Sequence, residues 1–127
     1  EDQLDLSLAY RWLTHQALKD SGHTPIGDLF VPSGGLLDWF SAWKRRRASN
    51  TADSQDIDER MRQANPVVIP RNHQVAAAIA DAEAQDYEYL QAAFERWKAP
   101  FDWQDNDRLW AAAPTPTERV TRTFCGT

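Results

Sequence analysis

The sequence contains one cysteine and five glycines among 127 residues, and it has no long run of apolar residues. A single cysteine cannot form a disulfide within the chain, which excludes a disulfide-stapled secreted domain and fits a reducing compartment. No apolar run approaches the roughly 20 residues that span a bilayer, and no apolar segment follows a basic N-terminus. We therefore expect a cytoplasmic protein without a membrane partner.

Basic residues are also too few for a nucleic-acid binder. The chain has 14 Lys and Arg against 19 Asp and Glu, a formal net charge of -5, whereas binding to phosphates requires a surplus of cations. The run Lys44-Arg45-Arg46-Arg47 lies at the end of a predicted helix, where cations are stabilised by the helix dipole. We therefore expect no nucleic-acid partner.

The motifs of catalysis and cofactor binding are missing. There is no Gly-x-Gly-x-x-Gly, Gly-x-x-x-x-Gly-Lys-Ser/Thr or Gly-x-Ser-x-Gly pattern, and Ser33-Gly34-Gly35 is too short to hold a phosphate. His15, His23 and His73 lie far apart, without cysteines or carboxylates at the short spacing of metal sites. The residues predict no catalytic, metal-binding or cofactor-binding site in this chain.

Apolar residues at helical spacing dominate what is present and predict an all-α fold. Ser33, Asn72 and Asp86 are the predicted N-caps of three helices, and Pro66 and Pro100 end two of them. The short turn before Asp86 predicts that the two helices around it pack as an antiparallel hairpin. The first predicted helix starts near Leu4, has its apolar pattern up to Leu18 and ends near Ser21-Gly22. The others run from Ser33 to Arg47, from Asp53 or Ser54 to Asn65, from Asn72 to Glu83 and from Asp86 to Pro100.

Beyond Pro100 the sequence predicts an irregular segment. Its aromatic residues are scattered among Asp and Asn rather than spaced as on a helix. With no partner base in view, Asp102, Asp105 and Asp107 are interpreted as solvated carboxylates.

The segment Val67–Pro70 is predicted to be a short, buried, extended strap, because Pro66 and Pro70 stand at its two ends and it is too short for a sheet. Arg71 follows the strap, and neither the capping of a helix nor the ending of one explains an arginine at this position. A guanidinium beside a rigid segment is suited to bidentate binding of a carboxylate. We therefore predict that Arg71 is a docking group for a carboxylate elsewhere in a larger protein.

Cys125 is the third residue from the C-terminus, a position where side chains are usually exposed. An exposed thiol can be oxidised or can exchange with another cysteine. We predict a single helical region over residues 1–127, in which residues 111–127 form a flexible redox tail. Because the chain begins at Glu1 rather than Met, we expect a fragment or a processed piece.

Several short motifs, taken in their order along the chain, resemble the C-terminal end of the selenoprotein O family. The resemblance covers roughly the second half of the chain, whereas in the first 50 residues only Gly22-His23-Thr24 is partly similar. The matching positions are Met61, Asn65-Pro66, Arg71-Asn72, Asp81-Ala82-Glu83 in an alanine-rich helix, Asp86, Pro100-Phe101 and Phe124-Cys125-Gly126-Thr127.

The resemblance implies a full-length enzyme with a kinase-like fold that uses ATP and Mg²⁺ to transfer AMP to Ser, Thr or Tyr of protein substrates. The family's catalytic residues lie upstream, so the resemblance implies that this chain packs on the kinase-like domain and is inactive alone. Cys125 matches the position where some members have selenocysteine. In the family that position is tied to redox control, including a disulfide with a cysteine of the kinase-like domain.

A second interpretation is a stand-alone helical interaction module without catalysis. The chain has six tryptophans, and such rings serve both as interface anchors and as core residues. In this interpretation the partner surface consists of Trp39, Trp43, Trp97, Trp103 and Trp110. The sequence upstream of Glu1 distinguishes the two, because only an adenylyltransferase has a kinase-like segment there.

Overall fold

The computed structural model describes residues 4–17, 29–49 and 54–122, and within these ranges it contains helices and no strand. The all-α prediction is therefore confirmed. The helices are α1 (Leu6–Ala17), α2 (Gly34–Ala48), α3 (Ser54–Ala64), α4 (Asn72–Glu83), α5 (Glu88–Trp97) and α6 (Asp107–Ala111).

Two polar residues start the first helices. The Asp5 carboxylate accepts a hydrogen bond from the Leu8 N–H at 3.0 Å, which satisfies one of the free donors of the first turn of α1. Ser33 is the N-cap of α2, and its side chain accepts from the Leu36 N–H at 3.3 Å. The Ser33 prediction is confirmed, whereas the predicted end of the first helix near Gly22 lies outside the described residues.

The first core cluster forms where α1 and α2 meet. Trp12 lies between Phe40, with ring centroids 5.0 Å apart in an edge-on arrangement, and Phe30, with centroids 6.1 Å apart. Leu8 and Leu13 complete the buried face of α1. The helical spacing of these residues on α1 is the amphipathic pattern that predicted the helix.

The basic end of α2 binds within the chain. Arg47 forms an ion pair with Asp58 of α3, and its guanidinium carbon lies 5.5 Å from the centre of the Trp43 ring. Lys44 Nζ lies 4.8 Å from the centre of the Phe40 ring. At least half of this basic run therefore contacts the protein's own residues.

The predicted strap is buried at Val67 and Val68, whereas Ile69 is partly buried and Pro70 is exposed. Helix α3 ends at Ala64, two residues before Pro66, and the N–H groups of Val67 and Val68 both donate to the Pro100 carbonyl, at 2.7 and 3.3 Å. Val68 is only 1% exposed. The strap is therefore held by both its backbone and its side chains.

Two predicted N-caps are wrong by one residue. Arg71, with extended backbone angles, is the N-cap of α4, and Asn72 is already helical. Tyr87 rather than Asp86 is the N-cap of α5, although the Asp86 carboxylate accepts from the Glu88 N–H at 3.0 Å. Helices α4 and α5 pack against each other, as the short connection predicted.

The segment after Pro100 is more ordered than predicted, because it contains α6. Asn106, in the left-handed region at φ 71°, precedes this helix, and Asn tolerates that conformation better than most residues. Trp110 and Ala111 are buried in a second core cluster with Val67, Val68 and Ala93. Five residues are too few to show a helical period, which explains the error.

The two clusters form one continuous core. Leu29 and Trp103 pack against both of them. Helix α4 joins through Gln74, a buried side chain whose amide donates to the carbonyls of Leu109 and Trp110, each at 3.1 Å. The strap, α5 and α6 are therefore held in place around shared side chains.

Candidate functional site

The two predicted site residues differ in what the structure says about them. Cys125 lies outside the described residues, and the proposed tail over residues 111–127 stays a prediction. Ala111 itself is the last residue of α6 and is fully buried. Arg71 is described, is 9% exposed, and stands between the strap and α4.

Arg71 binds a carboxylate of its own chain. Its Nη1 donates to Asp5 Oδ2 at 2.6 Å and its Nη2 lies 3.5 Å from Asp5 Oδ1. Burial disfavours ionisation of Asp5, but hydrogen bonds from Arg71 and Leu8, with the Arg71 charge, outweigh it and hold the Asp5 pKa below its ordinary value. One carboxylate therefore starts α1 and ties it to the start of α4.

Asn65, which directly follows α3, makes a second long-range connection to α1. Its side-chain amide donates to Thr14 Oγ1 at 2.8 Å, and its carbonyl accepts from Arg11 Nη1 at 3.1 Å. Thr14 is fully buried, so this hydrogen bond satisfies a polar group that has no access to water. The Asn-Pro step on which the family resemblance partly rests thus has a structural role: it ends α3 and holds α1.

An open groove of about 400 Å³ adjoins Arg71 and is lined in part by Asn72, His73 and Arg119. Two nitrogens beside it, Arg71 Nε and His73 Nδ1, are buried without a hydrogen-bond partner. Asp5 contacts both terminal nitrogens of Arg71, whereas Nε has no partner. The prediction that Arg71 docks a carboxylate from elsewhere in a larger protein stays a prediction.

The sequence interpretation missed the most buried ion pair that the structure describes. Arg96 of α5 donates through Nε and Nη2 to both oxygens of Asp107, whose side chain is 0% exposed. The same guanidinium donates to the carbonyls of Ala99 and Asp102, and Asp107 also accepts from the Gln104 N–H at 2.6 Å. The interpretation of Asp107 as a solvated carboxylate is therefore wrong.

The five tryptophans of the second interpretation are unequally available to a partner. Trp110 is buried beside Tyr89, with ring centroids 5.4 Å apart. Trp39 is 49% exposed, and its ring stacks on Trp43 at 6.5 Å. The remaining tryptophans are partly buried and pack against the core clusters. A partner surface that includes Trp110 is therefore wrong, while Trp39 stays accessible.

Among residues 4–17, 29–49 and 54–122, no group of three or more His, Cys, Asp or Glu side chains is placed to hold a metal ion. No described helix is long and apolar enough to cross a membrane.

Comparison with known proteins finds similarity along the whole chain. A protein nucleotidyltransferase YdiU from Nitrobacter hamburgensis is 33% identical over 127 residues, which is 100% of this chain and 25% of that protein. The YdiU proteins of Rhizobium meliloti and Geobacillus kaustophilus are 35% and 36% identical, over 97% and 80% of this chain and 25% and 21% of their own lengths.

No family model matches the chain, and no solved structure matches it. The relatives are about four times as long as the chain, which spans about a quarter of their length. Their similarity extends over the first 50 residues, where the motif resemblance was weakest. The chain therefore belongs to the selenoprotein O family of protein nucleotidyltransferases and corresponds to a C-terminal part of its members.

Proposed function

We propose that this chain is the C-terminal helical part of an enzyme that transfers AMP from ATP to Ser, Thr or Tyr hydroxyls of proteins. One observation carries the proposal: the whole chain is similar to proteins named nucleotidyltransferases. The kinase-like fold, ATP and Mg²⁺ belong to the remaining three quarters of the enzyme. The protein substrates are the partners of the full-length enzyme.

The residues of this chain have a supporting role in that enzyme. Among the described residues, no group of three or more His, Cys, Asp or Glu side chains is placed for a metal ion. In the proposal, every step of the transfer takes place in the remaining part of the enzyme. Arg71 and Arg96 are instead engaged by Asp5 and Asp107 of the same chain. These ion pairs support a rigid helical unit beside the catalytic part.

The test compares the full-length protein with residues 1–127 alone, each incubated with Mg²⁺ and ATP labelled at the α-phosphate. We expect label on protein only with the full-length form, because AMP retains the α-phosphate. ATP labelled at the γ-phosphate is the control, since a protein kinase would transfer that label instead. Transfer of the γ-label, or no transfer of either, would contradict the proposed activity.

We further propose that Cys125 is the redox-sensitive group of the enzyme. In this mechanism the Cys125 thiol and a cysteine thiol in the upstream part form a disulfide by exchange with glutathione disulfide. The two thiols lose two protons and two electrons to glutathione disulfide, whose S–S bond breaks to give two molecules of glutathione. The disulfide restricts the C-terminal end and thereby access or motion at the catalytic part, and reduction releases it.

A Cys125→Ser variant of the full-length enzyme tests this mechanism. AMP transfer is measured in oxidised and in reduced glutathione, with Thr123→Ser as the control, a neighbouring change that keeps the thiol. We expect redox dependence in the control and its loss in the serine variant. If Cys125→Ser keeps the redox dependence of the unmodified enzyme, the regulatory role is refuted.

The alternative of a stand-alone interaction module is favoured by one observation, the exposed ring of Trp39. An immediate start codon upstream of Glu1 would support it, and a kinase-like coding sequence there would refute it.

A further inference from the structure

An apolar groove is lined by residues of α1 and α2 and by Leu4, which precedes α1. It has a volume of about 290 Å³, and we call it the α1–α2 groove. Its principal lining residues are Leu4, Leu6, Tyr10, Leu13, Leu36 and Trp39.

The α1–α2 groove is unusually apolar for an exposed surface. Leu6, Tyr10 and Trp39 are 63%, 54% and 49% exposed, and none of the described residues that line the groove carries a charge at neutral pH. On α1, the charged neighbours of the lining residues, Asp5 and Arg11, bind Arg71 and the Asn65 carbonyl instead. On α2, Asp38 precedes Trp39 and is exposed, but it does not line the groove. Contiguous exposed apolar surface of this kind marks an interaction site.

We propose that an apolar segment from the part of the full-length protein that precedes residue 1 docks in the α1–α2 groove. This inference rests on the proposed function in one respect, that the chain is the C-terminal part of a longer enzyme. The relatives supply the necessary length, because about three quarters of each lies outside the matched region. The uncharged lining selects an apolar occupant, since a charged one would lose its hydration without gaining a partner.

The position of Leu4 favours this occupant over a second copy of the protein. Leu4 lines the groove and is three residues from residue 1, a span of at most about 11 Å in an extended chain. In the proposed full-length protein, polypeptide that precedes residue 1 is therefore tethered within that distance of Leu4. A segment tethered so closely has an effective concentration on the order of millimolar, far above that of a second molecule in a dilute solution.

A photo-cross-linking experiment on the full-length protein tests the proposal. Trp39 is replaced by p-benzoylphenylalanine, the protein is irradiated, and the linked peptides are identified by mass spectrometry. Leu109, on α6, is replaced in the same way as a control, because it is 63% exposed and does not line the groove. We expect position 39, but not position 109, to link within one molecule to a peptide preceding residue 1.

Two outcomes overturn the proposal: a cross-link from position 39 that joins two copies, or no intramolecular link above the yield from position 109. The link is read independently of AMP transfer. A full-length protein that gives the link but transfers no AMP therefore contradicts the proposed activity and supports the docking.

A matched pair of substitutions provides a second measurement. Leu6 and Leu109 are both 63% exposed in this chain, so glutamine at either position removes the same apolar surface. In the full-length protein we expect Leu6→Gln to speed amide hydrogen exchange in α1 by about tenfold, equivalent to about 1.4 kcal/mol. Leu109→Gln should leave exchange in α1 unchanged. Equal exchange in α1 for the two variants overturns the proposal.

Discussion

Replacing Arg96 by alanine is expected to cost more stability than replacing any exposed arginine of the chain. The Arg96 and Asp107 side chains are 6% and 0% exposed, and Arg96 also donates to the carbonyls of Ala99 and Asp102. The alanine variant would leave the Asp107 carboxylate buried, with the Gln104 N–H as its remaining donor. Removing one member of a buried ion pair costs about 3–5 kcal/mol.

Arg60→Ala is the matched control, because the same residue type forms an exposed ion pair with Asp56 in α3. Its side chain and that of Asp56 are 76% and 53% exposed, and exposed pairs four residues apart on a helix contribute about 0.3–0.5 kcal/mol. The expected difference between Arg96→Ala and Arg60→Ala is therefore several kcal/mol. A domain with a total stability of about 5–15 kcal/mol would lose a large fraction of it.

Urea unfolding followed by tryptophan fluorescence measures both variants, with stability obtained by linear extrapolation. The double variant Arg96→Ala, Asp107→Ala should lose less stability than the sum of the single changes, because it leaves no unpaired buried charge. The reasoning is refuted if Arg96→Ala lies within about 1 kcal/mol of Arg60→Ala, since a buried ion pair cannot be that weak when one partner is removed.

Three further predictions test the connections around the core. Asp5→Asn should lower the free energy of unfolding at neutral pH. Because the Asp5 pKa is lowered on folding, the carboxylate's contribution is present above the ordinary pKa near 3.8 and is lost as the pH falls through the lower folded pKa. Unfolding measured at decreasing pH should therefore bring variant and wild type together, and a constant difference would contradict the assignment. Ala93→Leu, at a position with 0% exposure, should cost about 1–3 kcal/mol by overpacking. Ala92→Leu, on the exposed side of α5, should be nearly neutral in the same urea assay. Equal effects would argue against the described packing. Ser33→Ala should cost about 1 kcal/mol through loss of the N-cap of α2, measured as loss of helix content on heating. Ser41→Ala is the control and should show no such loss, because its exposed hydroxyl bonds within the helix.

Features that depend on neighbouring residues were well predicted from the sequence. The apolar spacing of α1, the Ser33 cap and the proline-bounded strap all depend on residues within one or two turns of each other. The two N-cap errors were of one residue, where Arg71 and Tyr87 took the positions predicted for Asn72 and Asp86. At Arg71 the distant Asp5 engages the side chain, so the position reflects tertiary contacts as well as capping preference.

The partners of the buried charges could not be predicted in the same way. Asp5 and Arg71 are separated by 66 positions, and no local pattern in either segment specifies the other. Asp107 lies in a segment rich in Asp and Asn, which is typical of solvated loops. Its burial follows from the packing of α6 on α5 and the strap. A five-residue helix is too short for its apolar spacing to predict that contact.

The sequence by itself determined an all-helical chain of the selenoprotein O family, because helical spacing, helix-ending prolines and the family's short motifs each depend on residues that are close together in the sequence. Only the tertiary structure decided which charges are paired, which tryptophans are buried and which apolar face stays exposed. Those outcomes depend on contacts between segments distant in sequence, where burial turns a carboxylate such as Asp107 from a solvated group into one that requires a partner.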